Sequence, residues 1–291
     1  MAEQAEFEQE RSRLWGIAYR ITGSVADAED AVQDAWLRWQ ALPDGAADSP
    51  RAYLTTVVSR LCYDRLTSAR ARRETYTGTW LPEPVVTQDG PEERVTLDES
   101  VGTALLTVLE RLTPAERTAF VLHDVFAVPF GEIAEAVGRT PEAVRRLASR
   151  ARHRVRDEAP RRTVDRAEHR RAVDAFLAAA AGADFGGLLD ILDPDVVWRS
   201  DGGGKVIAAR LPVTGREKVA HFIEHVVRRD LVDRVRIVVR DINGAPGAIA
   251  VDRESGVLAT YAFTVDQGRI TSIDAVLNPD KLSHIAPDAL H

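Results

Sequence analysis

A dense cluster of arginines is the clearest chemical feature of the sequence. Residues 139–171 hold twelve arginines against five acidic residues, a local charge of +7, whereas the whole chain of 291 residues carries −7. Arginine side chains pair with phosphate or hydrogen-bond guanine through two atoms, so the cluster indicates a nucleic-acid contact. An ordinary helical hairpin with a solvated basic face would carry the same charge.

A second basic stretch covers residues 51–73, where six arginines stand against Asp64 alone. Tyr53 and Tyr63 alternate with these arginines. Basic and aromatic side chains together are typical of surfaces that bind a partly unpaired strand, although the tyrosines equally fit a helical core. The candidate binding residues here are Arg60, Arg65, Arg70, Arg72 and Arg73.

The helices that must present these arginines are marked by their end signals. Residues 130–137 form a short helix closed by Gly138, and Thr140 with Pro141 begins the next helix. This layout predicts a helix-turn-helix. Its buried positions leave six side chains on the outer face of the second helix: Glu142, Arg145, Arg146, Ser149, Arg150 and Arg152.

The other helices show similar local signals. Ser24 with Asp27 resembles a capping box, and Thr113, Pro114 and Glu116 supply an N-cap, a first-turn proline and an N3 glutamate. Between these helices, residues 76–91 contain five glycines and prolines, which predicts an extended linker.

Past Ala172 the pattern changes from helical to mixed. Two helical stretches, 173–192 and 216–228, precede alternating runs at 234–239, 248–251, 258–265 and 270–276. The sequence therefore predicts a multidomain chain: two all-α domains over 1–75 and 99–160, a linker over 76–98, and an α+β domain with a curved antiparallel sheet over 165–291.

Composition limits the remaining possibilities. No apolar run approaches the roughly 20 residues that a membrane helix needs, and the acidic start is unlike a signal peptide. The single cysteine, Cys62, fits a reducing compartment, so we expect a cytoplasmic protein. The seven histidines are scattered, and no glycine loop of the phosphate-binding kind opens a helix, so we expect neither a metal nor an organic cofactor.

Two segments of the first domain carry a family resemblance. The strings LWGIAYRITG (14–23) and AEDAVQDAWLRW (28–39) resemble region 2 of extracytoplasmic-function sigma factors. The resemblance implies that an acidic helix docks on core RNA polymerase through Asp30, Gln33, Asp34 and Trp36. It also implies that residues 51–74 open and read the −10 promoter element.

The helix-turn-helix resembles region 4 of the same family, which binds the −35 element. The recognition helix reads AVRRLASRAR (143–152) where the family usually has a sequence close to TVKSRLHRAR, so its base-reading positions stay open. The residues that the resemblance assigns to −35 binding are Thr140, Glu142, Arg145, Arg146, Ser149, Arg150 and Arg152.

Three short strings resemble a subgroup with a SnoaL-like extension: YTGTWLPEP (76–84), DGGGK (201–205) and NPDKL (278–282). The resemblance implies a cone-shaped α+β barrel that regulates the sigma factor in cis, in place of a separate anti-sigma protein. We expect the regulatory contact to involve Trp80, Asp201, Gly203, Lys205, Asn278 and Lys281. Lys205 or Lys281 could pair with acids of the promoter-binding domains.

We therefore expect a sigma factor that binds core RNA polymerase and promoter DNA and has no catalytic residue of its own. One alternative is a helix-turn-helix repressor that never meets polymerase. Another is a cyclase or isomerase with a DNA-binding appendage, for which the candidate acids and bases are Asp174, Asp195, Asp201, His221 and His225. A small-molecule ligand in the cone is also possible, lined by Trp198, Phe222, Tyr261 and Phe263.

Overall fold

The computed structural model describes residues 2–43, 45–73, 76–87, 102–158, 164–227, 235–252, 254 and 256–285. The chain divides into two compact units. The helical unit comprises Met1–Thr75 and Leu106–Ala159, and the C-terminal unit comprises Tyr76–Leu105 and Pro160–His291. The predicted linker therefore groups with the C-terminal unit, and the two predicted helical domains share one unit.

Three helices begin the helical unit: α1 (Ala2–Thr22), α2 (Val25–Gln40) and α3 (Pro50–Arg73). A tight turn at Gly23, with φ of +71°, joins α1 to α2. Ser24 caps α2 as predicted, since its hydroxyl accepts a hydrogen bond of 3.2 Å from the backbone N–H of Asp27. The apolar faces of the three helices pack into a common core.

The helix-turn-helix follows α4 (Thr103–Leu109) and α5 (Pro114–Phe120), which leads into a π-helical turn (Val121–Val125). It consists of α6 (Phe130–Val137) and α7 (Pro141–Glu158). Thr113 and Glu116 form the predicted capping box, and Gly138 ends α6 in the left-handed conformation at φ of +64°. The predicted bounds of α6 and the start of α7 are confirmed.

The first three helices and the helix-turn-helix pack directly against each other in the helical unit. Helix α3 contacts α5 and α6, and α1 contacts the π-helical turn. The guanidinium of Arg117 donates a hydrogen bond of 2.9 Å to the backbone carbonyl of Arg20, and both side chains are buried. A buried arginine therefore joins α5 to the end of α1.

The C-terminal unit contains a seven-stranded sheet in the order β1-β4-β5-β6-β7-β2-β3. Its strands are β1 (Val86–Thr87), β2 (Leu192–Asp201), β3 (Val213–Thr214), β4 (Val235–Ile242), β5 (Ala245–Asp252), β6 (Gly256–Asp266) and β7 (Arg269–Val276). Its helices are α8 (Arg166–Ala181), α9 (Phe185–Ile191), α10 (Arg216–Val227) and α11 (Pro279–Leu282). Helices α8, α9 and α10 share a core with β2, β5, β6 and β7.

The mixed α+β fold is confirmed, with two corrections. The predicted helix over 173–192 is two helices, because the chain turns at Ala183, whose φ is +50°. The sheet is not wholly antiparallel, because β2, which the sequence did not predict, pairs in parallel with β7. A register shift between Leu192 and Val197 interrupts that pairing and hides the alternation expected of a strand.

No helix in the described ranges combines the length and the apolar character required to cross a membrane.

Candidate nucleic-acid interface and linker contact

The outer face of α7 carries the side chains that are free to meet a ligand. Burial of Val144, Leu147, Ala148 and Ala151 against the rest of the helical unit turns the intervening positions outward. Arg145, Arg146 and Ser149 are exposed there. The guanidinium of Arg145 lies 5.3 Å from the ring centroid of Phe130, within range of a cation–π contact.

Two of the predicted DNA-binding arginines are instead engaged within the helical unit. Arg150 donates to one carboxylate oxygen of Glu116 at 3.0 Å, and Arg154 donates to the other at 3.0 Å. Arg152 donates to Asp124 at 2.7 Å. These pairs hold the C-terminal half of α7 against α5 and the π-helical turn, so Arg150 and Arg152 have a structural role in this state.

The first turn of α7 uses the other two predicted residues. Thr140 accepts a hydrogen bond of 3.3 Å from the backbone N–H of Ala143. Hydrogen bonds from its own backbone N–H and from Thr140 lower the pKa of the exposed Glu142. Both residues therefore stabilise the helix start, where negative charge also favours the helix dipole.

Glu116 is the acid that positions the end of α7, and only 3% of its surface is exposed. Burial by itself would raise the pKa of Glu116, but hydrogen bonds from Thr113 and Arg150 outweigh it. The pKa therefore lies below the ordinary glutamate value, so the ionised form of Glu116 stabilises the folded helical unit.

We expect this stabilisation to disappear in acid. It is fully present above the pKa of an unfolded glutamate, about 4.3, and is lost as the pH falls through the lower folded value. Hydrogen exchange of the α7 amides, measured in the full chain from pH 6 to pH 3, should show less protection in Glu116→Gln than in the parent at pH 6. The difference between the two proteins should narrow as the pH falls. A difference that does not change with pH would contradict this assignment.

The acidic face of α2 presents a mixed surface. Asp30 and Gln33 are exposed, as the docking prediction requires. Asp34 forms an ion pair of 2.9 Å with Arg65, and Trp36 is half-buried against the Phe7 ring at 4.8 Å. Leu37, which sequence reasoning passed over, is 56% exposed and shares the outer face with Asp30 and Gln33. The spacing i, i+3, i+7 could have identified it.

The predicted −10-binding residues all lie on α3. Arg60 is exposed, whereas one guanidinium nitrogen of Arg65 forms an ion pair with Asp34. The side chains of Arg70, Arg72 and Arg73 lie outside the described residues. Tyr53 is half-buried and tilts against the Trp39 ring at 5.8 Å, which supports its structural interpretation.

In the C-terminal unit, the carboxylate of Asp201 accepts hydrogen bonds from four donors, of which the linker and Lys281 supply three. The Tyr76 hydroxyl donates to Oδ1 at 2.5 Å, and the backbone N–H of Leu81 donates to Oδ2 at 2.8 Å. Lys281 Nζ lies 2.8 Å from the same Oδ2. The Asp201 side chain is completely buried and that of Lys281 is 7% exposed. An acid of β2, a lysine of α11 and the linker therefore meet in one buried cluster, which we call the linker contact.

The linker closes around the lysine. Lys281 Nζ lies 3.6 Å from the ring centroid of Trp80, a cation–π contact, and also donates to the Leu81 carbonyl. The Asn278 amide donates to the Tyr76 hydroxyl at 3.0 Å. Burial and the neighbouring Asp201 raise the pKa of Tyr76, so its hydroxyl stays protonated as a donor.

Gly203 allows this cluster to close. It has a φ of +61°, its N–H donates to Asp201 at 3.1 Å, and a Cβ there would overlap the Asn278 side chain. Lys205 lies outside the cluster and pairs with Asp280 on the surface at 2.6 Å. The hypothesis that Lys205 or Lys281 pairs with an acid of the helical domains is replaced by these two pairs within the C-terminal unit.

Asn243 holds the linker at Val85 and the start of α4 at Thr103, and the sequence indicated only a turn at Asn243. Its Oδ1 accepts from the N–H of Val85 at 2.8 Å, and its Nδ2 donates to the Thr103 hydroxyl at 3.0 Å. Its backbone N–H donates to the Val85 carbonyl at 2.8 Å. Val86 then pairs with Ile242, so the linker supplies β1, the edge strand next to β4.

The candidate acid and base residues of an enzyme do not converge. Asp174 pairs with Arg170, His221 lies near Glu224, Asp195 and His225 are exposed, and Asp201 belongs to the linker contact. None of these five is among the described residues that line a large apolar cavity of the C-terminal unit. The geometry therefore offers no acid and base facing a common substrate position in that cavity.

That cavity, the cone cavity, has a volume of about 460 Å³. It is lined by Phe176, Leu177, Ala180, Ala181, Trp198, Ile223, Val226, Val235, Ile237, Val239 and Tyr261. Trp198 and Tyr261 were predicted to line it. Phe222 and Phe263 instead pack behind the lining, against Trp198 and Phe176 respectively.

A helix-turn-helix with a basic outer face on α7, an exposed acidic face on α2 and an α+β extension indicate a DNA-binding transcription protein. Comparison with known families agrees: a model of Sigma-70 region 2 matches residues 7–72, and one of Sigma-70, region 4 matches residues 102–155.

Relatives match over nearly the whole chain. ECF RNA polymerase sigma factor SigJ of Mycobacterium tuberculosis is 44% identical over 97% of this chain and 93% of its own. Probable ECF RNA polymerase sigma factor SigI of the same species is 36% identical over 96% and 94%. The crystal structure of M. tuberculosis SigJ covers 96% of this chain and 98% of its own at 42% identity, with a TM-score of 0.79. The chain therefore belongs to the ECF RNA polymerase sigma factors, which direct transcription initiation.

Proposed function

We propose that the C-terminal unit regulates this sigma factor in cis by restricting the linker between its two promoter-binding domains. The observation that carries the proposal is the double attachment of the linker to Asn243, through Val85 and Thr103. In this proposal the C-terminal unit acts as a regulator rather than an enzyme. The partners of the whole chain are core RNA polymerase and promoter DNA.

The length of the linker supports this proposal. The −10 and −35 elements lie about 25 base pairs apart by their names, roughly 85 Å of duplex. Residues 74–102, between α3 and α4, could span about 100 Å when extended, which is enough to reach both elements. Because Val85 and Thr103 are both hydrogen-bonded to Asn243, the residues between them add little to the distance that the linker can span. Only residues 74–84 can still extend, and they cover roughly 40 Å.

The packing within the helical unit gives independent support. Because α1 and α3 pack against α5, α6 and the π-helical turn, the two modules cannot read elements that far apart while this packing persists. Promoter binding therefore requires the Arg117 to Arg20 contact to open and the linker to extend. We infer that the described conformation is the inactive one.

The proposal is tested by Asn243→Gly, which removes both side-chain hydrogen bonds and tolerates the φ of +53° at this position. Two ordinary hydrogen bonds are worth about 2 kcal/mol, or roughly 30-fold in the opening equilibrium. We expect more run-off transcription with core polymerase on a genomic template library. We also expect a longer distance between fluorescent labels on α2 and α7.

The matched control is Gln267→Gly, which makes the same change at φ of +49° in the turn between β6 and β7, away from the linker. Transcription and label distance in Asn243→Gly that match those in Gln267→Gly would overturn the proposal.

For −35 binding, we propose that Arg145, Arg146 and Ser149 form the primary contact, because Arg150 and Arg152 are held by acids of the same module. We expect Arg146→Ala to weaken promoter binding by about 1–3 kcal/mol and Arg152→Ala to weaken it less. Binding of labelled promoter duplex by the polymerase complex measures both. A loss in Arg152→Ala as large as that in Arg146→Ala would show that Arg152 leaves Asp124 for DNA.

For polymerase docking, we propose the exposed face of α2 formed by Asp30, Gln33 and Leu37, with Trp36 beside it. An exposed leucine between polar side chains is typical of the apolar centre of a protein interface. In this proposal Asp34 is shared between polymerase and Arg65.

A further inference from the structure

We propose that the cone cavity binds a neutral, largely apolar small molecule with one hydrogen-bond-accepting oxygen, and that β2 transmits its binding to the linker contact. The proposal deepens the proposed function, on which its regulatory part rests. The binding part stands on the cavity alone and can be tested separately.

The size and lining of the cavity indicate the class of ligand. A volume of about 460 Å³ lies within the range of roughly 300–1,000 Å³ that small-molecule sites occupy. Aliphatic and aromatic side chains from α8, α10, β2, β4 and β6 form the described walls. No charged side chain is among these lining residues, so a charged ligand would lose its hydration without compensation. The part of the ligand that contacts these residues is therefore uncharged.

One polar group of the described lining remains for the ligand. The indole N–H of Trp198 already donates to the Ser200 hydroxyl at 2.7 Å, which leaves the hydroxyl of Tyr261. Burial raises the pKa of Tyr261, so the hydroxyl is protonated and can donate. A carbonyl oxygen on an otherwise apolar ligand would accept this hydrogen bond.

The cavity and the linker contact are connected through three positions near the end of β2, namely 198, 200 and 201. Trp198 forms part of the cavity wall, Ser200 accepts its indole hydrogen bond, and Asp201 follows directly as the buried acid of the linker contact. A ligand that moves the Trp198 ring would disturb Ser200 and the adjoining backbone of Asp201. A ligand shifts a conformational equilibrium when it binds one state better, so occupancy would change how firmly the linker is held.

Binding is tested on the full chain with N-phenyl-1-naphthylamine, a neutral probe that fluoresces in apolar sites. We expect saturable binding to one site. Ala180→Phe, which fills the cavity from α8, should weaken it at least tenfold, whereas Ala178→Phe, on the exposed face of the same helix, should change it less than twofold. Absence of binding, or an equal effect of both substitutions, would overturn the proposal.

The predicted chemistry is tested by competition between 2-acetylnaphthalene and 2-ethylnaphthalene, which differ chiefly in the carbonyl oxygen. The ketone should displace the probe roughly fivefold better, the value of one ordinary hydrogen bond, and Tyr261→Phe should abolish this preference. An equal preference in Tyr261→Phe and the parent would contradict the role of the hydroxyl.

The connection to the linker is tested by hydrogen exchange with saturating 2-acetylnaphthalene. The Leu81 amide, which donates to Asp201, should change its exchange rate at least threefold in the parent chain and not in Ala180→Phe. Binding without such a change would refute transmission through β2. It would leave the Asn243→Gly result, and with it the proposed function, unaffected.

Discussion

Replacing Lys281 with alanine should release the linker from the C-terminal unit at a cost of about 3–5 kcal/mol, the usual penalty for removing one partner of a buried ion pair. The side chains of Asp201 and Lys281 are almost completely buried, so the substitution would remove the counterion of a buried carboxyl group. The substitution also removes the cation–π contact with Trp80 and the bond to the Leu81 carbonyl. The linker itself would lose two of these three interactions, those of Trp80 and of the Leu81 carbonyl.

Hydrogen exchange of residues 76–87 measures this release, and run-off transcription with core polymerase measures its consequence, which we expect to be an increase. Lys205→Ala is the matched control, because the Lys205–Asp280 pair is more than half exposed and pairs of that kind contribute at most about 1 kcal/mol. Unchanged linker protection in Lys281→Ala would disprove the energetic role of the pair. Lost protection without more transcription would separate the linker contact from regulation.

Replacing Arg117 with alanine should destabilise the helical unit by a similar amount, about 3–5 kcal/mol. The side chain of Arg117 is 1% exposed, pairs with Glu110, and holds the backbone carbonyl of Arg20 at the end of α1. Its loss removes the ion pair with the largely buried carboxylate of Glu110 and the buried bond between α5 and α1.

The free energy of opening from hydrogen exchange in α1 and α5 measures this effect in the full chain. Arg11→Ala provides the control, since the Arg11–Glu8 pair on α1 is exposed and should contribute almost nothing. If α5 loses protection but α1 keeps it, Arg117 stabilises only its own module, and the proposed link between the promoter-binding domains fails.

Local features of the helices could be predicted because the interacting residues are neighbours in the chain. The Ser24 cap, the Thr113–Glu116 capping box and the glycine that ends α6 each join residues at most four positions apart. The same holds for the turns at Asn243 and Gln267, which have positive φ and separate the later strands. Strand β2 escaped prediction because the register shift between Leu192 and Val197 hides its alternation, and its parallel partner β7 lies far along the chain.

For the candidate sites, the sequence predicted which residues could bind a partner but not which of them are already paired within the fold. The outward face of α7 followed from helical spacing, but spacing could not show that Glu116 and Asp124 hold Arg150, Arg154 and Arg152. Asn243 carried no functional signal in the sequence, because its bonds to Val85 and Thr103 cross 158 and 140 residues.

The sequence by itself determined the helical first half and the α+β extension, because periodicity, capping and turn residues act over a few positions. Through resemblance to a family, it also indicated that the segments 76–84, 201–205 and 278–282 act in one regulatory contact. Only the tertiary structure decided that Asp201 and Lys281, 80 residues apart, form a buried pair around the linker. The fold likewise decided which arginines of α7 pair with acids of the helical unit and which remain exposed to solvent. This depends on burial and on partners that lie far apart in the sequence.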